Sequence, residues 1–334
     1  METNLHRFCI APMMDWSDRH CRYFWRLLSR HARLYTEMIT SAALVHGNHQ
    51  RLLDHHPAEH PLAVQLGGSE AAELAAAAKI CERAGYDEIN LNVGCPSERV
   101  QSGAFGACLM HEPETVANGV KAMREAVDIP VTIKCRLGVD DNDSYQALCD
   151  FVGINRDAGC KVFIVHARKA WLKGLSPKQN REVPPLNYPR VFQLKKDFPE
   201  LQIVLNGGLQ TLQACQSALD KLDGVMLGRE AYHNPFLLAG VDGELFDEKQ
   251  LQLNRVQVAT MFVDYIEREL KRGTRLNHMT RHVLGLFNGE PNARKWRRYL
   301  SENAYKPGAG IEVYLNALQL QQGNHARQAK LSCS

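Results

Sequence analysis

The chain has 334 residues, 45% of them hydrophobic and 23% charged, with 40 Lys and Arg set against 37 Asp and Glu. That length exceeds the ~250–300 residues at which one core stops growing, so a large domain and a smaller one are expected. No run is long and apolar enough to span a bilayer, the N-terminal METNLHRFCIAPMM lacks a signal-peptide layout, and the 10 cysteines form no Cys-x-x-Cys pair; these features argue against a helical membrane protein, a zinc ribbon and a redox dithiol, and a cytoplasmic protein is expected.

Eight short apolar runs punctuate residues 1 to about 230. In chain order they are FCIAPM from Phe8, LYTEM from Leu34, LAVQLGG from Leu62, EINLNVG from Glu88, VTIKCR from Val131, VFIVHAR from Val162, IVLNGG from Ile203 and GVMLGR from Gly224. Between them lie helical patterns such as EAAELAAAAKICERAG, ended by Gly85, and PETVANGVKAMREAV. Eight strand–helix units predict a closed (β/α)8 TIM barrel over residues 1–240. Polar residues fall at the C-terminal ends of the runs, at Glu37, Gln65, Asn92, Lys134, His166, Asn206 and Arg229. In such barrels chemistry sits on that rim. Residues 241–249 read as a linker, and 250–334 as a small all-α bundle carrying RVQVATMFVDYIERELKRG, LNHMTRHVLGLFNG, ARKWRRYLSENA and IEVYLNALQLQQG. From Lys249 onward there are 14 Lys and Arg against 6 Asp and Glu, which suggests a polyanionic partner held by this end or else a solvated helical surface.

Barrels bind phosphate with the loops after strands seven and eight, where glycines let backbone N–H groups approach the oxygens. Here those loops begin Asn206-Gly207-Gly208 and Gly228-Arg229. Lys134, on the rim of strand five, suits an ammonium beside a flavin ring or, taken alone, a Schiff-base lysine of the aldolase kind. Gln65, His166 and the backbone of Pro12 and Met13 add groups that an aldolase does not need, and the set reads as an FMN site.

Taken together, APMMDWSDRHCRYF, YTEM, VQLGG, INLNVGCPSERVQSGAFGACLM, IKCRLG, VHARKAWLKGLSPKQNREVPP, NGG, GVMLGR and RKWRRYLSENA resemble the tRNA-dihydrouridine synthases, nearest to their bacterial A subfamily. The resemblance implies an FMN-dependent barrel with a helical tRNA-binding domain, which reduces the C5=C6 bond of a D-loop uridine, at positions 20/20a by subfamily likeness, with NADPH as reductant. It also implies that Pro12, Met13, Met14, Gln65, Lys134, His166, Asn206, Gly207, Gly208, Gly228 and Arg229 contact FMN. Cys95 would be the proton donor, Asn92 would face the substrate base and Arg181 would touch RNA. Cys135 stands where similar sequences carry a larger or β-branched residue, on the strand face opposite Lys134.

Hydride transfer to uracil C6 and protonation at C5 require no metal. An ordinary thiol titrates near ~8.5 and is protonated at neutral pH, as a general acid must be. Cys95 follows Asn92 by three residues at the end of strand four, whereas Cys108 lies in the apolar run ACLM and reads as packed; the loop between them reads as a lid. A stacked uracil must be extruded to enter a barrel, and Arg168, Lys169, Lys173, Lys178 and Arg181 after strand six are candidates for phosphate contacts, as are Arg297 and Arg298 of the RKWRRYL cluster. His278 and His282 have the spacing of a metal pair without the glutamate of the zincin motif, and His55, His56 and His60 read as exposed imidazoles. No metal and no membrane partner are expected, and the chain is expected to be a monomer. Two competing functions are an FMN-dependent reductase of a free pyrimidine or other small unsaturated substrate, and a non-catalytic RNA-binding protein.

Overall fold

The computed structural model describes residues 5–98, 100, 103–248 and 253–323. Eight strands form one parallel sheet: β1 Phe8–Ile10, β2 Leu34–Thr40, β3 Leu62–Gly67, β4 Glu88–Val93, β5 Val131–Arg136, β6 Val162–His166, β7 Gln202–Asn206 and β8 Gly224–Leu227. From β2 to β8 each strand pairs with its sequence neighbour, and β8 pairs with β1. Arg33 closes the remaining seam, its N–H donating to Phe8 O and its carbonyl accepting from Ile10 N, both at 2.9 Å. The expected (β/α)8 barrel is therefore present and nearly closed, and the backbone polar groups of the buried, paired runs VTI in β5 and VFIV in β6 are satisfied by their neighbours on both sides.

Helices follow the strands where local capping starts them. Ser144 Oγ accepts from Ala147 N before Tyr145–Asp157, and Thr211 Oγ1 accepts from Ala214 N before Leu212–Leu219. An apolar cluster of Cys9, Ala11, Tyr35, Ala63, Val162, Ile164, Val204 and Met226 packs the interior beside buried polar Glu88, Asn90, Thr132 and Gln65, so the barrel is a packed core and not a pore.

The described residues divide into two compact units, one within 1–17 and 32–228, the other within 18–31 and 229–334. The second unit is helical. Its helix Arg19–Arg26 is capped by Asp18, whose Oδ2 accepts from Arg281 Nη2 at 2.6 Å and lies 3.0 Å from His282 Nε2. Tyr23 stacks on Tyr265 at 4.1 Å, and Trp296 and Tyr314 are wholly buried. Val241–Leu245, within the segment read as a linker, is a helix whose Val241 and Leu245 are buried. LNHMTRHVLGLFNG is helical only over Leu276–Thr280; beyond it Val283, Leu286 and Asn288 donate to carbonyls three residues back, and Gly285 lies too close to the His233 carbonyl for any Cβ. No helix among the described residues is long and apolar enough to cross a membrane.

Candidate active site

Strand alternation places Glu88, Asn90 and Asn92 on one face of β4, and Thr132, Lys134 and Arg136 on one face of β5. In register, Gln65 lies beside Asn90, Asn90 beside Thr132, Asn92 beside Lys134, and His166 beside Asn206. Four of the rim residues read from the sequence thus come into direct contact in two pairs. Asn92 Nδ2 donates to Gln65 Oε1 at 2.8 Å, and Lys134 Nζ donates to Asn206 Oδ1 at 3.1 Å. Asn92 Oδ1 turns to the chain beyond the strand and accepts from Gly94 N at 3.1 Å and Cys95 N at 3.0 Å.

That bifurcated acceptance makes the turn that presents Cys95. A second anchor holds its other side: Arg136 Nε donates to Gly94 O at 3.1 Å. The same guanidinium reaches the loop after β6, where Nη1 donates to Asn180 O at 2.9 Å and Lys169 O at 3.4 Å. Arg136 is only 4% exposed, and its partners among the described residues are carbonyls, so its charge is not neutralised by a carboxylate. Sequence reading assigned Arg136 no role; the signal was present in Lys-x-Arg, since period two puts both cations on one face.

The site is cationic. Burial and then the Arg136 charge bring Lys134 down to about 8, which leaves it mostly protonated at neutral pH. Burial first, followed by the charges of Arg136, Lys134, Arg168 and Arg181, holds His166 well below its ordinary range, so the imidazole is neutral. Arg181 and Lys178 are exposed on the loop after β6, with Asn180 buried between β6 and the next helix as its pin: Asn180 Nδ2 donates to Trp171 O and Oδ1 accepts from Trp171 N.

After β7, Gly207 and Gly208 have φ of +107° and +74°. A Cβ on Gly207 would stand 2.6 Å from the His166 ring, and one on Gly208 would stand 2.5 Å from Leu186. These positions demand glycine and leave bare backbone at the rim. Pro12 and Met13 are half-buried and Met14 is 56% exposed in the β1 loop, where Ser17 Oγ accepts from Met13 N at 2.9 Å and Glu37 Oε1 accepts from Asp15 N. Gly228 ends the first unit, and Arg229, Arg297 and Arg298 belong to the second, where Trp296 and Leu300 face the core while Arg297 and Arg298 are exposed.

The two cysteines differ. Cys95 is half-buried with its Sγ 3.5 Å from Ser97 Oγ, whereas the Cys108 thiol donates to Phe105 O at 3.1 Å and is pushed up by burial. Of the loop read as a lid, residues 99, 101 and 102 lie outside the described ones; Val100 and Phe105 are buried, and Ala107 N donates to Cys95 O at 2.9 Å. His55, His56 and His60 depart from the exposed reading. His56 caps Pro57–Glu59, His60 Nδ1 lies 2.7 Å from Asp87 Oδ2 and His55 packs on Tyr86, because this loop must satisfy its own buried polar groups. His282 is buried against Asp18 while His278 is exposed, and no group of three metal-ligating side chains occurs among the described residues.

The family profile described as "Dihydrouridine synthase (Dus)" matches residues 9–322. A relative named tRNA-dihydrouridine(20/20a) synthase from Escherichia coli O6:H1 (strain CFT073) is 59% identical over 316 residues, covering 94% of this chain and 95% of its own. Relatives of the same name from E. coli (strain K12) and Vibrio vulnificus (strain CMCP6) are 58% and 57% identical, covering 96% and 95% of this chain and 93% and 97% of theirs. Among solved structures, a 2-naphthoyl-CoA reductase in complex with 2-naphthoyl-CoA superposes with a TM-score of 0.57 at 12% identity, over 71% of this chain and 50% of that one, a likeness of fold.

Proposed function

Because the chain belongs to the dihydrouridine synthase family, we propose that it reduces the C5=C6 bond of uridine at positions 20 and 20a of tRNA, with bound FMN and with NADPH as reductant. The observation that carries this reading is the Cys95 turn, clamped by Asn92 and Arg136 at the end of β4 beside Gln65 and Lys134.

The residues present fit a flavin mononucleotide. Gly207 and Gly208, both at positive φ, leave backbone without side chains in the loop after β7, where such barrels hold phosphate, and Arg229 follows Gly228 in the sequence. Gln65, Lys134, His166 and Asn206 supply an amide pair, an ammonium and a neutral imidazole on one concave rim, and Pro12, Met13 and Met14 border it from β1. The chemistry that a bound flavin supplies is the two-electron reduction of the uracil C5=C6 bond.

The protein's own residues do the rest. Cys95 Sγ gives the proton that saturates C5, which requires the thiol form and a fixed approach. Asn92 and Arg136 fix that approach through the backbone of Gly94 and Cys95, and the second Nδ2 hydrogen of Asn92 remains for a base carbonyl. Lys134 and Arg136 keep the rim positive and so favour negative charge developing there. A uracil reaches this depth only when unstacked, at a cost of a few kcal/mol, and contacts elsewhere on the tRNA must offset it. Lys178 and Arg181 beside the site, together with exposed Arg297 and Arg298 of the helical unit, are the phosphate contacts in this reading. The enzyme works as a cytoplasmic monomer.

The test begins with the purified protein, which should be yellow, release FMN and form dihydrouridine in uridine-containing tRNA but not turn over free uridine. Cys95→Ala should abolish single-turnover oxidation of the reduced enzyme by tRNA while Cys108→Ala leaves it intact. Colourless protein, efficient reduction of free uridine, or the opposite cysteine result would each overturn the corresponding part of the proposal.

A further inference from the structure

We infer that Thr132 and Asn90 are positioning residues which, anchored on Glu88, set the hydrogen-bond polarity of Gln65, Asn92 and the Cys95 turn from the opposite end of the barrel. This rests on the function proposed above.

Glu88 opens β4, at the end remote from the rim, and is wholly buried. Its Oε2 accepts from His6 Nε2 at 2.6 Å and Arg33 Nη1 at 2.7 Å, while Oε1 accepts from Tyr35 Oη at 2.9 Å and Thr132 Oγ1 at 2.7 Å. Burial pushes the carboxyl up, but the His6 and Arg33 charges and the hydrogen bonds of His6 and Thr132 outweigh it and bring it to about 2. Glu88 is therefore an acceptor and nothing else.

From this end each link is forced. Thr132 has one hydroxyl hydrogen, and it goes to Glu88 at 2.7 Å; the longer alternative, Ile89 O at 3.4 Å, is likewise an acceptor. Towards Asn90 the hydroxyl can only accept, and Asn90 Nδ2 donates to it at 2.9 Å. Asn90 Oδ1 must then meet a donor, and Gln65 Nε2 supplies it at 2.7 Å. Gln65 Oε1 is left to accept from Asn92 Nδ2 at 2.8 Å, and Asn92 Oδ1 is left facing Gly94 N and Cys95 N. The relay starts at a group that only accepts and finishes at two that only donate.

Reversing one amide would set like against like at its own neighbours, and only by carrying the reversal along the relay to Asn92, whose Nδ2 would then face the Gly94 and Cys95 N–H groups, could the mismatch be passed on; the turn carrying Cys95 would then open. Thr132, Asn90 and Gln65 are each no more than 1% exposed, so water does not substitute for a missing link. Nothing in Asn90 or Thr132 needs to touch substrate; they act through Gln65 and Asn92.

The experiment compares Thr132→Val, which keeps shape and removes the hydroxyl, with Thr132→Ser, which keeps the hydroxyl and removes a methyl, in the FMN-loaded protein. Hydrogen exchange of the Gly94 and Cys95 amides, the single-turnover rate with tRNA and the melting temperature are measured on each. Thr132→Val should speed exchange at both amides by about tenfold or more and slow the tRNA-dependent step by roughly ten- to hundredfold, and Thr132→Ser should restore both even where it melts lower. Wild-type exchange and rate in Thr132→Val, or losses that follow the melting temperature instead of the hydroxyl, would overturn the relay. If the wild-type protein itself leaves tRNA unreduced, the proposed function fails, and the exchange comparison still decides the relay.

Discussion

Replacing Arg136 separates its charge from its geometry. Arg136→Lys keeps a cation at the rim, but an ammonium cannot reproduce a planar fork that spans Gly94 O at 3.1 Å and Asn180 O at 2.9 Å. A hydrogen bond from a charged donor contributes about 1.5–3 kcal/mol, so losing the Gly94 contact leaves the Cys95 turn held by Asn92 and by the Ala107 N–H on Cys95 O, and lowers its productive population about ten- to hundredfold. Rapid mixing of reduced enzyme with tRNA should show that loss in Arg136→Lys, whereas reduction of the enzyme by NADPH should change by less than about threefold because the local charge is retained. Arg136→Met, which also removes the charge, should slow both half-reactions and leave buried carbonyls without donors, with a lower melting temperature. A wild-type rate with tRNA in Arg136→Lys would refute the claim that this side chain anchors the turn.

Three further outcomes follow from the same geometry. Lys134 titrates at about 8, so any step that needs its ammonium should be at full rate below that pH and fall as pH rises through it; in Arg136→Met a neighbouring cation is gone and the alkaline limb of the kcat/KM profile should move to higher pH, with an unmoved limb arguing for another group. Gly207→Ala forces an L-residue to φ +107° with its Cβ 2.6 Å from the His166 ring, and should weaken FMN binding about tenfold or more in a fluorescence titration and lower the melting temperature, while Gly228→Ala, whose Cβ meets nothing closer than 3.8 Å, should melt like wild type. Arg297→Glu or Arg298→Glu should weaken tRNA binding and flatten its dependence on salt; unchanged affinity across a salt series would remove these residues from the RNA-binding surface.

Much of the site is legible because strand geometry is local. The alternation Glu88-x-Asn90-x-Asn92 and Thr132-x-Lys134-x-Arg136 follows from the two-residue repeat of any strand, and the positions of Gln65, His166 and Asn206 at strand ends follow from where each apolar run stops. Partners across strands are a different matter. Asn92 reads from the sequence as a group facing substrate, yet its carbonyl oxygen serves the Gly94 and Cys95 amides, and that depends on Gln65, 27 residues away, presenting an oxygen and not a nitrogen.

The same division holds for the helical unit. The amphipathic pattern of ARKWRRYL places Trp296 and Leu300 inward without reference to anything distant, and both are buried. That residues 18–31 join residues 229–334 is invisible in their composition, since it rests on Asp18 meeting Arg281 and His282, Arg19 meeting Glu269, and Tyr23 stacking on Tyr265. The sequence by itself determined the eight-fold alternation, the polar rim and which side chains share a face, because those depend on periodicity set within a few residues. Only the tertiary structure decided which amide end faces which neighbour, and that Arg136 ties the Cys95 turn to the loop after β6, because hydrogen-bond direction is a property of a closed network and is settled by its most distant member, Glu88.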